Sequence, residues 1–412
     1  MRIAYISYEH PLGIAGGGIG TYLGQIAKVM TDRGHQVEVF TGHLELSETI
    51  TFDNYTIHRI QAKGAKEFRE RVVEPFKMQH TIQPFDIIES GEYGADALLV
   101  KKTIPGIPLT VKLHTPTFLV SRLNGRHFGA FQKVLFLLKC LRKGIVQKPF
   151  WIYDKNVDPE FELFQLAETL SSPSNSLKAI INQEWNSNRE IAVVPLPFKP
   201  SEALLAIPLV KRNPGKIIIC FVGKLEVRKG VMVLIKAIPE VVKFSENVMF
   251  RFIGEPLQSP VKGLNMQEYI EQELQPYSIN LEFTGKQPAL KIPDLIADCQ
   301  ICVFPSLWEN FPNVCLEAMA AGKAVIGTNN GGMADMITHG KNGILVSPKS
   351  SQQLAKAILD TVAGVYDVES IGKEARKRIL DGYNPNLIGQ LTEGLYIETI
   401  NKKERSRLSL TA

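Results

Sequence analysis

Short apolar runs of three to six residues alternate with helix-length stretches along most of this 412-residue chain. Strands alternating with helices of that length form βαβ units, which build parallel sheets that bind ligands at their strand C-terminal ends. Ile3–Ser7, Val37–Thr41, Thr56–Ile60, Asp86–Glu89, Leu109–His114 and Ile191–Val194 are the strand runs of a first half. A proline-rich stretch, LPFKPSEALLAIPLVKRNPG, then interrupts the rhythm. It restarts with Ile217–Val222, Met249–Gly254, Leu281–Gly285, Ile301–Pro305, Val325–Thr328 and Ile344–Val346. The length exceeds one ordinary core, so two doubly wound α/β domains are expected, their strand ends facing across a cleft. The pattern gives residues 1–197 to the first, 198–214 to a linker and 215–383 to the second.

The densest piece of this pattern is PSLWENFPNVCLEAMAAGKAVIGTNNGG, from Pro305 to Gly332. It reads as strand end, loop, helix, strand and loop. Pro312 is expected in the first turn of the helix, where a missing N–H costs nothing, and Gly322 ends it as a left-handed cap. Glu309 precedes the helix, and Glu317, eight residues on, lies in its second turn. The helix N-terminus between them offers free N–H groups and the positive end of a dipole, which suits a phosphate. Two carboxylates beside it would suit the hydroxyls of a sugar and a ribose. Taken alone, the spacing equally fits a loop charge and a solvated helix face.

ENFPNVCLEAMAAGKAV resembles the Glu-x7-Glu signature of retaining glycosyltransferase family 4, the glycosyl transferases group 1, whose fold is GT-B with two Rossmann-like domains. The resemblance implies that Glu309 contacts donor-sugar hydroxyls and Glu317 the nucleotide ribose. The commoner signature has glycines where Asn310 and Pro312 stand. Pro312 has no N–H, so backbone contacts to the sugar fall to Phe311, Asn313 and Val314. FVGKLEVRKG, from Phe221 to Gly230, resembles the family's G-R-L-x-x-x-K-G segment, whose two cations stabilise a leaving diphosphate. Lys229 matches. Lys224 replaces an arginine, giving a point charge for a bidentate fork, which Arg228 could offset.

The loop Ala15–Gly20, with Gly34-His35-Gln36-Val37 after its helix, resembles the segment whose backbone approaches the diphosphate and acceptor, here at Gly17 and Gly18. His114, in KLHTP, matches a histidine placed near the donor sugar's 6-position, although a lone strand-end histidine is otherwise structural. The turn at Thr284, Gly285 and Lys286 matches the place where backbone groups hold the base. Asp335 stands where the family usually has glutamate. The last helix, 387–400 within about 384–412, is expected to cross back onto the first domain. Together these imply transfer of a hexose, with UDP-glucose the favoured donor, to a saccharide or lipid-linked saccharide in α-linkage during polysaccharide assembly. Glu309, His114, Lys229 and Lys224 would be the catalytic residues. No Asp-x-Asp occurs in the chain, so neither metal nor cofactor is expected beyond the donor.

Composition, 44% hydrophobic and 22% charged, is that of a globular protein. No apolar stretch reaches the ~18 residues that span a bilayer, and MRIAYIS is too short for a signal-peptide core. Five cysteines, an odd number, point to reduced thiols and a cytoplasmic setting. The net charge of +5 is unevenly spread: Ala97–Tyr153 holds ten lysines and arginines and no Asp or Glu. Such a block points to an anionic partner. Within it Phe128, Phe131, Leu135, Leu138 and Leu141 recur at near-helical spacing over 128–143, interrupted by Lys133, Lys139, Arg142 and Lys143. That helix fits either an apolar face packed on its own domain or peripheral contact with the inner face of an anionic membrane. No nucleic-acid partner is expected.

A dinucleotide site fails because Ala15 occupies the first glycine position and no acid ends the second strand. Cys299 and Cys302 form a C-x-x-C with neither a second pair nor a nearby histidine, and are read as buried thiols. A nucleotide-sugar epimerase of the same fold and a non-catalytic nucleotide-sugar-binding protein are the remaining alternatives.

Overall fold

A computed structural model describes residues 1–14, 17–125, 130–142, 144, 153–209 and 215–411. The chain divides into two units: Met1–Pro173, Leu177–Pro197 and Pro385–Ala412 form the first, and Ser174–Ser176 with Phe198–Asn384 the second.

The first unit holds strands β1 (Arg2–Ser7), β2 (Gln36–His43), β3 (Glu48–Phe52), β4 (Tyr55–Gln61), β5 (Ile87–Gly91), β6 (Leu109–Lys112), β7 (Thr169–Ser172) and β8 (Ala192–Val193). They form one sheet in the order β3-β4-β2-β1-β5-β6-β7-β8, parallel except where β3 meets β4. Two of these strands lie outside the runs read from the sequence. β3 turns into β4 through Asp53 and Asn54, both at positive φ (47° and 64°), as a two-residue hairpin turn demands. β7 is wholly buried although its sequence is TLSS. Its hydroxyls are satisfied by tertiary partners, Thr169 Oγ1 meeting Thr110 Oγ1 at 3.0 Å and Thr399 Oγ1 at 2.5 Å. Thr399 belongs to the helix Pro385–Thr411, which packs in this unit and is longer at both ends than the 387–400 expected.

The second unit has β9 (Ile217–Val222), β10 (Val248–Ile253), β11 (Leu281–Gly285), β12 (Ile301–Phe304), β13 (Ala324–Thr328) and β14 (Ile344–Val346), all parallel, in the order β11-β10-β9-β12-β13-β14. Alternate residues of its apolar strands feed two cores, Ile219 and Phe221 on one face and Cys220 and Val222 on the other. Burial on both faces explains the unbroken runs. Cys299 and Cys302 lie in the second core with Cys220 as buried thiols.

Residues 198–209, expected as linker, are part of this unit. Phe198, Leu204 and Ile207 are buried against Leu316 and Met319, and Phe198 N donates to Tyr383 O at 2.8 Å. SEALLAI supplies the reason: it forms the helix Glu202–Ala206, capped by the Ser201 side chain, with an apolar face to bury. Residues 210–214 lie outside the described residues.

The acid-free segment is also partly accounted for. Lys101 is buried against Glu168 at 2.9 Å and Lys112 is buried on Val194 O, while Lys102 pairs with Glu162 and Arg122 with Glu184. The helix expected at 128–143 is Ala130–Arg142, and 126–129 and 143 lie outside the described residues. Its Leu135, Leu138 and Leu141 are exposed, so they are not an apolar face packed on their own domain.

Candidate active site

In the second sheet β9 lies between β10 and β12, so the chain leaves β9 on one side and returns on the other. The C-terminal ends of β9 and β12 flank that switch point, where crevices for ligands form in doubly wound sheets. The two loops that leave there are interlocked. A Cβ on Gly230 would lie 1.8 Å from the Pro305 carbonyl oxygen, and Leu307 N donates to Arg228 O at 2.9 Å. The loop after β13 braces them from beneath. Thr328 Oγ1 donates to Ser306 O at 2.8 Å, Asn330 Nδ2 to Leu307 O at 2.9 Å, and Gly332 N to Glu309 O at 2.8 Å. Gly331 is held at φ +65°, where its missing Cβ would stand 2.0 Å from Glu309 O. Conformation and close approach both demand glycine there.

This frame presents Glu309, which is buried. Its carboxylate accepts from Ser306 Oγ at 2.8 Å and pairs with Lys229 Nζ at 2.5 Å. The helix Asn313–Ala320 follows, and no side chain caps its N-terminus. Pro312 is its N-cap, with extended ψ of 106°, and not a first-turn residue as expected, because the chain is still leaving the loop there. Asn313 and Val314 are the first two helical residues, and Phe311 packs edge-on against Tyr383 at 5.7 Å. Glu317 is not on a solvated face: burial pushes its carboxyl up to about 7. Lys224 is exposed and makes no ion pair among the described residues. Arg228 pairs with Glu226 at 2.7 Å, so the substitute once open to it is already engaged. Gly285 ends β11, two strands from β9, at φ +68°.

The first unit repeats the topology, with β1 between β2 and β5. Its glycine loop differs from expectation in one respect. Burial pushes the carboxyl of the half-buried Glu9 up, and the nearby backbone N–H groups of Gly17 and Gly20 offset part of that push. Among the described residues, chain neighbours and the helix's own backbone aside, no atom lies within 4 Å of where a Cβ on Gly17 or Gly18 would sit, and Ala15 and Gly16 lie outside the described residues. His114 stands two residues beyond β6, buried, its ring edge-on to Tyr22 at 5.4 Å. Burial, helped by Lys112, pulls its pKa down to about 3. Its backbone N–H donates to Glu92 at 2.7 Å, and burial pushes that carboxyl up to about 8.

A model of the glycosyl transferases group 1 matches residues 208–378, and one of Glycosyltransferase Family 4 matches residues 16–202. The chain belongs to the glycosyl transferases group 1. Its activity is therefore glycosyl transfer. An uncharacterized glycosyltransferase of Methanocaldococcus jannaschii is 22% identical, with 96% of this chain and 98% of that protein aligned. Two solved structures share the GT-B fold. Sucrose-phosphate synthase from Thermosynechococcus elongatus has a TM-score of 0.69 at 20% identity, over 96% of this chain and 98% of that one. Anabaena HepE in complex with UDP has a TM-score of 0.66 at 18% identity, over the same shares, 96% and 98%.

In this group 1 glycosyltransferase, Lys229, Glu309, Phe311, Asn313, Val314 and Glu317 gather at one switch point of the second unit, with Lys224 on a loop of the same pair. His114, Gly17 and Gly18 belong to the first unit. The sequence reading missed the bracing residues Ser306, Thr328 and Asn330, for which TNNGG was the available signal. It also left Asp335 unexplained. Asp335 accepts from Asn175 N at 2.7 Å and Nδ2 at 3.1 Å, which a carboxylate one methylene longer would overshoot.

Proposed function

We propose that this chain is a retaining hexosyltransferase that moves glucose from UDP-glucose to a saccharide or lipid-linked saccharide. The observation that carries the reading is the Glu309–Lys229 pair beside an uncapped helix N-terminus, with Glu317 one turn into that helix. Without substrate, Glu309 neutralises Lys229. A diphosphate at the helix N-terminus would compete for the ammonium group and free Glu309 to accept hydrogen bonds from the sugar's 3- and 4-hydroxyls. Glu317 would accept from the ribose, and the backbone at Gly285 would hold the base. In the first unit, His114 would meet a sugar hydroxyl, and Gly17 and Gly18 would bring backbone to phosphate. The UDP complex of the Anabaena protein supports the uridine nucleotide.

The chemistry follows from charge placement. As the glycosidic C–O bond breaks, negative charge grows on the diphosphate and is stabilised by Lys229, Lys224 and the helix N-terminus. Preorganised charge of this kind is usually the largest catalytic contribution. With its pKa pulled down to about 3, His114 is neutral at neutral pH and only a weak base. The acceptor hydroxyl then attacks from the face the diphosphate leaves, and the departing phosphate oxygen takes its proton. No divalent metal is required. A lipid-linked acceptor would bring the enzyme from a cytoplasmic pool to the inner face of the membrane.

Proton NMR of the product from UDP-glucose and a saccharide acceptor, run in EDTA, tests these elements together. An α-linked product is expected. A β-linked product overturns retention, and activity that returns only with manganese overturns the metal-free reading. Thermal stabilisation by GDP- or ADP-sugars but not UDP-sugars overturns the donor alone.

A further inference from the structure

We infer that the solvent face of the helix Ala130–Arg142 is a docking surface for an anionic lipid bilayer. Phe136 and Cys140, one turn apart, are half-buried and mark the face turned inward. At 100° per residue, Val134, Leu135, Leu138 and Leu141 project on the opposite side, with Leu137 at the margin. These five side chains are 43–77% exposed, so the helix turns its apolar stripe outward. Lys139 and Arg142, also exposed, stand on the Leu135 side of the stripe.

Contiguous apolar patches on a protein surface mark something that covers them, and charge decides what covers this one. No Asp or Glu occurs from Ala97 to Tyr153, whereas Lys101, Lys102, Lys112 and Arg122 are buried or paired with acids from elsewhere. Among the described residues, Lys139 and Arg142 of this helix are the cations of the segment left for an outside partner. Exposed leucines edged by lysine and arginine suit the headgroup region of an anionic bilayer, with the stripe in the acyl boundary. A second copy of the chain would set like charges against each other across a twofold axis. No helix among the described residues is long and apolar enough to cross a membrane, so the contact is peripheral. The inference is independent of donor and reaction, because vesicle binding is read without substrate.

The test is sedimentation of the full chain with vesicles of phosphatidylcholine alone and of phosphatidylcholine carrying about one-third phosphatidylglycerol. Binding is expected to the anionic vesicles and to fall as salt rises. Reversing two charges in Lys139→Glu/Arg142→Glu should weaken it at least about tenfold. Leu138→Glu/Leu141→Glu should abolish it while the melting temperature stays that of wild type, since both side chains are exposed. Equal binding to neutral vesicles, or none by the wild type to anionic ones, overturns the inference. So does a solution dimer that the leucine variant dissociates while the wild type leaves vesicles untouched.

Discussion

At their strand C-terminal ends the first unit gathers carboxylates and the second gathers ammonium groups. Near the ends of β1 and β5, Glu9 lies by the N–H groups of Gly17 and Gly20, Glu92 accepts from His114, and Asp96 from Tyr8. Glu160 accepts from Gly94 and Thr117. Near the ends of β9 and β12, Lys229 pairs with Glu309 ahead of a helix that no side chain caps, and Lys224 lies exposed on the loop after β9. Both sheets have the same kind of switch point, so topology decides where a site can form. Who owns the acid decides what the site takes. In the first unit the protein's own carboxylates occupy the backbone donors, and in the second those donors are left for a ligand's phosphate.

The largest test of this contrast removes the ammonium group that distinguishes the second unit. Lys229→Ala should lower kcat on the order of 10²–10³, by analogy with loss of one oxyanion donor. Steady-state kinetics with UDP-glucose would check it, and a rate within a few-fold of wild type would mean the charge is unused. Next is the frame beneath Glu309. Gly331→Ala forces a Cβ toward the Glu309 carbonyl and a strained φ, and a misplaced catalytic carboxylate should reduce turnover by roughly 10².

The smallest effect concerns the first unit's acids, read as stability against pH. Burial pushes Glu92 up to about 8, Asp96 to about 7 and, in the second unit, Glu317 to about 7. The folded state then holds these protons more tightly than the unfolded chain. Their stabilisation is full below the ordinary carboxyl range and is lost as pH rises through about 7 to 8. The substrate-free melting temperature should fall between pH 5 and pH 8, by about 2–4 °C for each kcal/mol lost in units of this size. Glu92→Gln should flatten the slope, whereas a midpoint that climbs across this window would contradict the burial of these acids.

What the sequence could show follows from how each feature is held. β9 and β13 are apolar and buried on both faces, so IIICFV and AVIGT announce themselves. β7 does not, because Thr110 and Thr399, which satisfy its threonine, lie 59 and 230 residues away. Glu309 and Lys229 could each be nominated from a motif. Their mutual contact could not, since it depends on β9 and β12 lying side by side. Glu9 had no signal at all: a single acid beside a histidine says nothing of the glycine loop it lies near.

The central claim is that the switch point of the second unit binds the nucleotide through Glu317 and the sugar through Glu309. Calorimetric titration of UDP into wild type, Glu317→Ala and Glu309→Ala, with turnover measured alongside, tests it most directly. Losing a charge-assisted hydrogen bond to the ribose should weaken UDP binding roughly 10–100-fold in Glu317→Ala. Glu309→Ala should bind UDP within a few-fold of wild type and lose turnover instead. Equal, small changes in both variants, in binding and in rate alike, would contradict the assignment.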